Sequence, residues 1–275
     1  MIDPKDYPVI IMSCDSYSDI WEPMVYSLDK FWPDCPFPTY LCSETKNFEH
    51  PRIGNIQVYQ RMGWSEMLIS VLRQLSSKNV IYLQEDYILK GKTDTGGLID
   101  LLEYYEKNNA AYLRLIPYPP PREIIDEKLN VGKLEKGSQY RTSLQAAVWD
   151  RKVLLNLLDA SENGWQFERN SVERSGHLDR PFYSVSLNSD EPNKNLHRYP
   201  LDYYSTAILQ GKWQKEGVKL LRKAGVPIDT STRGCLTRWD FFYYHEQKKP
   251  DSFYLQLLRF IDRHFFNPKS NYRKF

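Results

Sequence analysis

The stretch Asn79-Val80-Ile81-Tyr82-Leu83-Gln84-Glu85-Asp86-Tyr87 decides the fold. Val80, Ile81, Tyr82 and Leu83 are β-branched or bulky without interruption, the pattern of a strand buried on both faces of a parallel sheet rather than of one helix face. The run ends abruptly in two adjacent carboxylates, Glu85 and Asp86. Open α/β sheets bind ligands just beyond the carboxyl ends of their strands, which is where these acids emerge. Two readings follow: Asp86 caps the next turn, or the pair meets a metal-bound phosphate.

Upstream, Val9-Ile10-Ile11-Met12 reads as the first parallel strand, with Ser13, Cys14 and Asp15 in a loop that faces a phosphate or a base. A helix is expected over residues 21–31, with Pro23 in its first turn and Met24, Val25, Leu28 and Phe31 at helical spacing. Strands follow over residues 37–42 and 56–59. Gly63-Trp64-Ser65-Glu66 opens a second helix, with Ser65 as its cap and Met67, Leu68, Val71, Leu72 and Leu75 on its buried face. Downstream come a turn at Gly96-Gly97, a helix over residues 98–107 and a strand over residues 111–116. Strands alternating with helices over residues 1–120 indicate an α/β, mostly parallel, doubly wound sheet flanked by helices.

Pro117-Tyr118-Pro119-Pro120-Pro121 breaks that pattern and forces an extended connection. The charged region up to Gly137 is then a loop over the site or a hairpin. A strand is expected over residues 140–149, and Asp150 caps a helix that turns Val153, Leu154, Leu157 and Leu158 inward. Trp165-Gln166-Phe167-Glu168 sets an acid beside large aromatics. Residues 184–195 read as a polar loop, and residues 215–224 as an amphipathic helix stopped by Gly225 and Pro227. A last helix over residues 252–266 carries Phe253, Leu257, Phe260, Ile261 and Phe265 and is followed by Lys269, Arg273 and Lys274. Such a helix either lies on an anionic membrane surface or packs on the domain.

Bulk properties exclude several classes. The 275 residues are 41% hydrophobic and 26% charged, enough for a sizeable core and not a disordered composition. A net charge of +2 gives no global pull towards nucleic acid. The four cysteines form no CxxC pair and read as free thiols of a reducing compartment. No stretch reaches the length of a membrane span, and the short apolar run ending at Met12 is too acidic in its flank for a signal peptide; a cytoplasmic protein is expected. There is no GxGxxG after the first strand, no GxxxxGK[ST] and no GxSxG, so dinucleotide, P-loop and esterase chemistry lack their cradle or nucleophile. A glycosidase needs its two acids on opposite sides of a bond, whereas Glu85 and Asp86 are neighbours pointing to different faces.

With this order of elements, the chain resembles nucleotide-sugar-dependent glycosyltransferases of the GT-A type, in particular bacterial enzymes of surface-polysaccharide synthesis. The residues that carry the resemblance are Gln84-Glu85-Asp86 at the end of an apolar strand and the later Trp165-Gln166-Phe167-Glu168. The resemblance implies Asp86 as ligand of Mn²⁺ or Mg²⁺ and Glu85 as a ribose or neighbouring contact. It implies Ser13, Asp15, Trp64 and Ser65 on the donor side, and Glu168 as general base of an inverting transfer, with Trp165 stacking on the acceptor sugar. Glu173 and Asp179 are the reserve bases. Gln84 stands where an acid is usual, so a metal-independent mechanism stays open, with Arg198, Lys212 and Lys215 supplying positive charge to the leaving diphosphate. The implied partners are a nucleotide-sugar donor and a carbohydrate or lipid-linked acceptor, at the inner face of a membrane if the last helix binds there. Residues 1–120 form the donor half and residues 121–275 the acceptor half of one compact domain. The competing reading is a binding module or membrane-peripheral scaffold that keeps this fold without turnover.

Overall fold

Strand β1 (Val9–Met12) is buried along its whole length and lies at the centre of the parallel part of the sheet. The computed structural model describes residues 2–186, 200–237 and 240. After β1 come a single 3₁₀ turn (Asp15–Tyr17), α1 (Ser18–Phe31), β2 (Thr39–Ser43), β3 (Ile53–Gln57), α2 (Trp64–Gln74), β4 (Asn79–Gln84) and α3 (Thr95–Lys107). The second half holds β5 (Tyr112–Arg114), β6 (Glu123–Asp126), β7 (Val131–Lys133), β8 (Ala147–Asp150), α4 (Arg151–Leu157), α5 (Gly164–Gly176) and β9 (Phe182–Val185). It ends in a small hairpin, β10 (Ile208–Leu209) and β11 (Lys212–Trp213), and α6 (Lys215–Lys223).

The nine-stranded sheet has the order β3-β2-β1-β4-β8-β5-β9-β7-β6. Strands β3, β2, β1 and β4 are mutually parallel, with Ile11 opposite Leu41 and Leu83. Strand β8 then enters antiparallel between β4 and β5, a reversal that no local pattern announced. Period-two alternation splits the core between two faces. Val9, Ile11, Ile81 and Leu83 pack with α1 and α3 on one side. Ile10, Met12, Val80 and Tyr82 pack with α2, α4 and α5 on the other. Both faces being covered is why the Val80–Leu83 run is uninterrupted rather than alternating. The arrangement is α/β, as the sequence implied.

Local differences have local causes. The Asp15–Tyr17 turn runs straight into α1, so the helix begins at Ser18 and Pro23 lies inside it rather than in its first turn. Ser65 does not cap α2: Gly63 takes that position, and the Glu66 carboxylate reaches back to the Gly63 amide at 3.0 Å. The charged region after the proline run is a hairpin, β6–β7, with a bulge at Ile125. Of the strand expected over residues 140–149, only its end forms; the Tyr140, Ser143 and Leu144 carbonyls are taken by the side chains of Arg114, Tyr112 and Tyr87. Residues 200–204 return along the segment after β4: the Lys90 amide donates to the Asp202 carbonyl at 2.8 Å, and the Tyr204 amide to the Ile88 carbonyl at 3.0 Å. All four cysteines are free thiols. Among the described residues, no helix is long and apolar enough to cross a membrane.

Asp150 ties the two halves of this frame. Its carboxylate caps α4 through the Val153 amide at 3.0 Å, and it pairs with Arg180 at 2.6 Å. Arg180 in turn holds the Ala110 and Asn109 carbonyls ahead of β5. Asp150→Ala removes a cap and strands a half-buried guanidinium, so urea denaturation should show a loss of about 2 kcal/mol. A change within about 0.5 kcal/mol, the level of an ordinary surface substitution, would refute this role.

Candidate active site

The sheet changes direction at β1: the chain builds β2 and β3 on one side of it and then returns to lay β4 on the other. The diverging connections make the carboxyl ends of β1 and β4 the switch point of the sheet, the position where open α/β sheets take ligands. To this point β1 sends the loop Ser13–Tyr17 and β4 sends Glu85 and Asp86. The Glu85 amide donates to the Met12 carbonyl at 3.2 Å, so the sheet ladder itself fixes where the acids begin.

Asp86 is 7% exposed. One carboxylate oxygen accepts the Ile208 amide at 3.3 Å, and its carbonyl accepts the Ala207 amide at 3.4 Å, which seats the β10–β11 hairpin against the acid pair. Burial holds both carboxyls well above the usual carboxylate range, and the neighbouring Asp86 charge raises Glu85 further. The Ile208 amide works the other way on Asp86. Arg233 lowers Glu85, but its guanidinium is already engaged. It lies 4.1 Å above the Tyr17 ring, pairs with both Asp19 oxygens at 2.6 and 2.7 Å, and donates to the Ser16 carbonyl. Tyr17 is pushed up to about 12 by burial and then by the Glu85 charge. The Cys14 thiol is raised by burial, then again by Glu85 and Glu44.

Glu168 lies on α5. One of its oxygens accepts the Leu144 amide at 2.7 Å and the Ser143 hydroxyl at 3.1 Å. Burial raises its carboxyl, while those two bonds and the Arg114 charge oppose the rise. Tyr82 stands between the two sets of acids, its hydroxyl within electrostatic reach of both Glu85 and Glu168. Gln84 spends its amide on that hydroxyl at 3.1 Å.

The structure therefore gathers Glu85, Asp86 and Glu168 near the end of β4, and gives the other sequence-derived residues different partners. The Ser13 hydroxyl accepts the Trp21 indole N–H at 2.6 Å. Asp15 clasps the loop after β2, accepting from the Thr45 hydroxyl at 2.5 Å and the Lys46 amide at 3.1 Å. Burial would raise Asp15, but these bonds outweigh it and hold the carboxyl below its ordinary value. Trp64 packs on Phe167, with ring centroids 5.6 Å apart, and Ser65 is fully buried beneath it. Lys212 pairs with Asp240 at 2.8 Å. Trp165 is 67% exposed at the start of α5, on the helix face of Glu168. Glu173 is exposed, and Asp179 is exposed beside Lys136. Lys215 is exposed. Arg198 and the helix over residues 252–266 lie outside the described residues. Sequence reading missed Arg233 and Tyr17: a single arginine 214 positions from its partner Asp19 carries no local signature.

The resemblance implies a divalent cation, and the acid pair fits one in donor chemistry. Two hard oxygen groups sit side by side, largely out of water, and the cation that acts on Glu85 is committed to Asp19. Among the described residues no group of three His, Cys, Asp or Glu could hold a metal ion. Asp86 would therefore hold it together with phosphate oxygens of a bound ligand, the usual arrangement for Mg²⁺, with Glu85 as a neighbouring contact.

No protein-family model matches the chain, and no curated protein matches it significantly in sequence. Parts of the chain are similar to solved structures. Staphylococcus aureus TarS 1–349 is 12% identical with a TM-score of 0.43, over 66% of this chain and 60% of that one. The mannosyltransferase PcManGT from Pyrobaculum calidifontis, solved with GDP-Man and Mn²⁺, is 10% identical with a TM-score of 0.44, over 68% and 57%. The galactosyltransferase LgtC, solved with donor and acceptor sugar analogues, is 10% identical with a TM-score of 0.45, over 82% and 98%. The match thus spans less than two thirds of TarS 1–349, and such identities speak to fold alone, a fold that hosts more than one chemistry.

The acid pair has a stability signature. A carboxyl raised in the folded state keeps a proton that the unfolded chain releases, so stability falls as pH rises from the ordinary carboxylate range through the folded value. Asp86→Asn removes that loss. With chelator present, the variant should melt about 2–4 °C above the parent at pH 8, and the gap should close as pH falls towards about 4. Equal melting temperatures across that range would contradict the burial of an uncompensated charge.

Proposed function

We propose that the chain is a nucleotide-sugar-dependent glycosyltransferase whose donor lies at the switch point between β1 and β4 and whose acceptor lies on the α5 side. The observation that carries the reading is the pair of half-buried Glu85 and buried Asp86 at the switch point of the sheet, with a third carboxyl, Glu168, held by Ser143 and Leu144 and within electrostatic reach of Tyr82. A leaving nucleoside diphosphate gathers negative charge as the glycosidic bond breaks. A divalent cation held by Asp86, when bound, would neutralise that charge.

The remaining steps belong to the chain's own side chains. The acceptor hydroxyl attacks the anomeric carbon, its proton passes to Glu168, and the diphosphate leaves on the opposite side with inversion. A carboxyl raised by burial is a better proton acceptor near neutral pH than an ordinary one. Exposed Trp165, one helical turn before Glu168, offers a stacking face for an acceptor sugar. The acceptor we assign is a carbohydrate or lipid-linked hydroxyl of surface-polysaccharide or lipopolysaccharide synthesis, reached at the inner face of a membrane.

Thermal unfolding in the presence of individual sugar nucleotides, with and without Mn²⁺, identifies the donor: a ligand at 100 times its Kd adds about 2.7 kcal/mol. Asp86→Asn should abolish the stabilisation that depends on Mn²⁺. Glu168→Gln should keep donor stabilisation and lower transfer by about 10²–10⁴-fold. Wild-type transfer rates in both variants would sink the assignment. Donor binding by the parent protein without transfer to any carbohydrate acceptor would favour the binding-module reading instead.

A further inference from the structure

Arg114, the last residue of β5, is fully buried, yet among the described residues no carboxylate comes within ion-pair distance of it. A charge taken out of water without a partner is costly, so the contacts it does make need an explanation. All go to neutral oxygens. Nε donates to the Ser184 hydroxyl at 3.1 Å and the Ile116 carbonyl at 3.3 Å. The two terminal nitrogens donate to the Tyr140 carbonyl at 3.2 Å and to the Pro119 carbonyl. The planar fork thus joins the segment leaving β5 to the segment entering β8, two stretches that share no ladder at these positions.

The second of those stretches carries the groups that hold Glu168. Three residues beyond Tyr140, the Ser143 hydroxyl and then the Leu144 amide bind the same Glu168 oxygen. Three tyrosine hydroxyls close the arrangement. Tyr87 donates to the Leu144 carbonyl at 2.9 Å and Tyr112 to the Ser143 carbonyl at 3.0 Å, while Tyr203 donates to Gln145 at 2.8 Å. The groups that face Glu168 electrostatically are Arg114, Tyr82, Tyr87 and Tyr112; the tyrosines are held protonated by burial, which leaves Arg114 as the cation.

We propose that Arg114 is the positioning residue for Glu168: its fork fixes the 140–144 segment that grips the carboxylate, and its unpaired charge favours the carboxylate form. This rests on the reading of Glu168 as the base, but it makes a claim about Glu168 that holds with or without a known acceptor. In a transfer reaction the same charge would keep Glu168 ready to accept the hydroxyl proton. Arg114 itself touches no reacting atom.

The test measures the titration of Glu168 through folding stability. Melting temperature is followed from pH 4.5 to 9 in pairs of proteins that differ only by Glu168→Gln, and the difference within each pair isolates that carboxyl. Because the carboxyl is raised in the folded state, the difference should grow as pH rises from the ordinary glutamate range through the folded value. The pairs are made in the parent, in Arg114→Gln, which keeps amide donors and loses the charge, and in Arg114→Lys, which keeps the charge and loses the fork. Arg141→Gln is the control. Arg141 is a buried arginine on the same segment, stacked 4.2 Å from the Phe182 ring, with no electrostatic link to Glu168.

Arg114→Gln should move the midpoint of the Glu168 difference up by about half a pH unit or more and Arg114→Lys, which loses only the fork, by less, while Arg141→Gln leaves it at the parent's value even if it lowers stability. An unmoved midpoint in Arg114→Gln overturns the proposal, and so does an equal shift in Arg114→Lys or Arg141→Gln. Once a donor and acceptor are in hand, the pH profile of transfer should shift in the same direction. If Glu168→Gln leaves transfer intact, the base assignment fails while the stability result stands.

Discussion

Two adjacent carboxylates held largely out of water at the end of a buried strand are the constraint on which the rest of this structure depends. Neighbouring like charges cannot both be ionised cheaply in such a place. The protein nevertheless delivers them there through the most rigid element it has, a strand covered on both faces and paired to β1. Among the described residues the Ile208 amide meets Asp86, and the charge of Arg233, itself paired with Asp19, acts on Glu85. Stability is given up at this point, and the surrounding core of β1, β4 and their covering helices supplies the compensation.

The parallel half of the fold was legible because its determinants are local. An uninterrupted apolar run means burial on both faces, helical spacing marks α1, α2 and α3, and Asp150 is a cap whose side chain does bind the Val153 amide. The antiparallel insertion of β8 was not legible, since strand order is settled by pairing between distant segments and leaves no period in the chain. The same division holds for the site. Glu85, Asp86 and Glu168 stood out as acids at the ends of apolar or aromatic patterns. Arg114 and Arg233 did not, because an arginine in sequence reads as a surface charge until burial shows otherwise.

Several residues read as donor-side in the sequence also act as joints of the fold. Asp15 binds the loop after β2, and the Ser13 hydroxyl is occupied by Trp21. Trp64 packs against Phe167. Asp15 follows a general logic in which a polar side chain at the carboxyl end of a strand satisfies loop amides that have no ladder partner.

The clasp between Arg233 and Asp19 joins residues 214 positions apart, and the Ile208 amide that meets Asp86 comes from 122 positions downstream. Closing such long loops carries an entropy penalty that is recovered only once both ends are in place. Asp86 therefore meets its Ile208 amide only when both ends of that loop are in place, and the weak acidity of the pair belongs to the whole fold rather than to the strand that carries it.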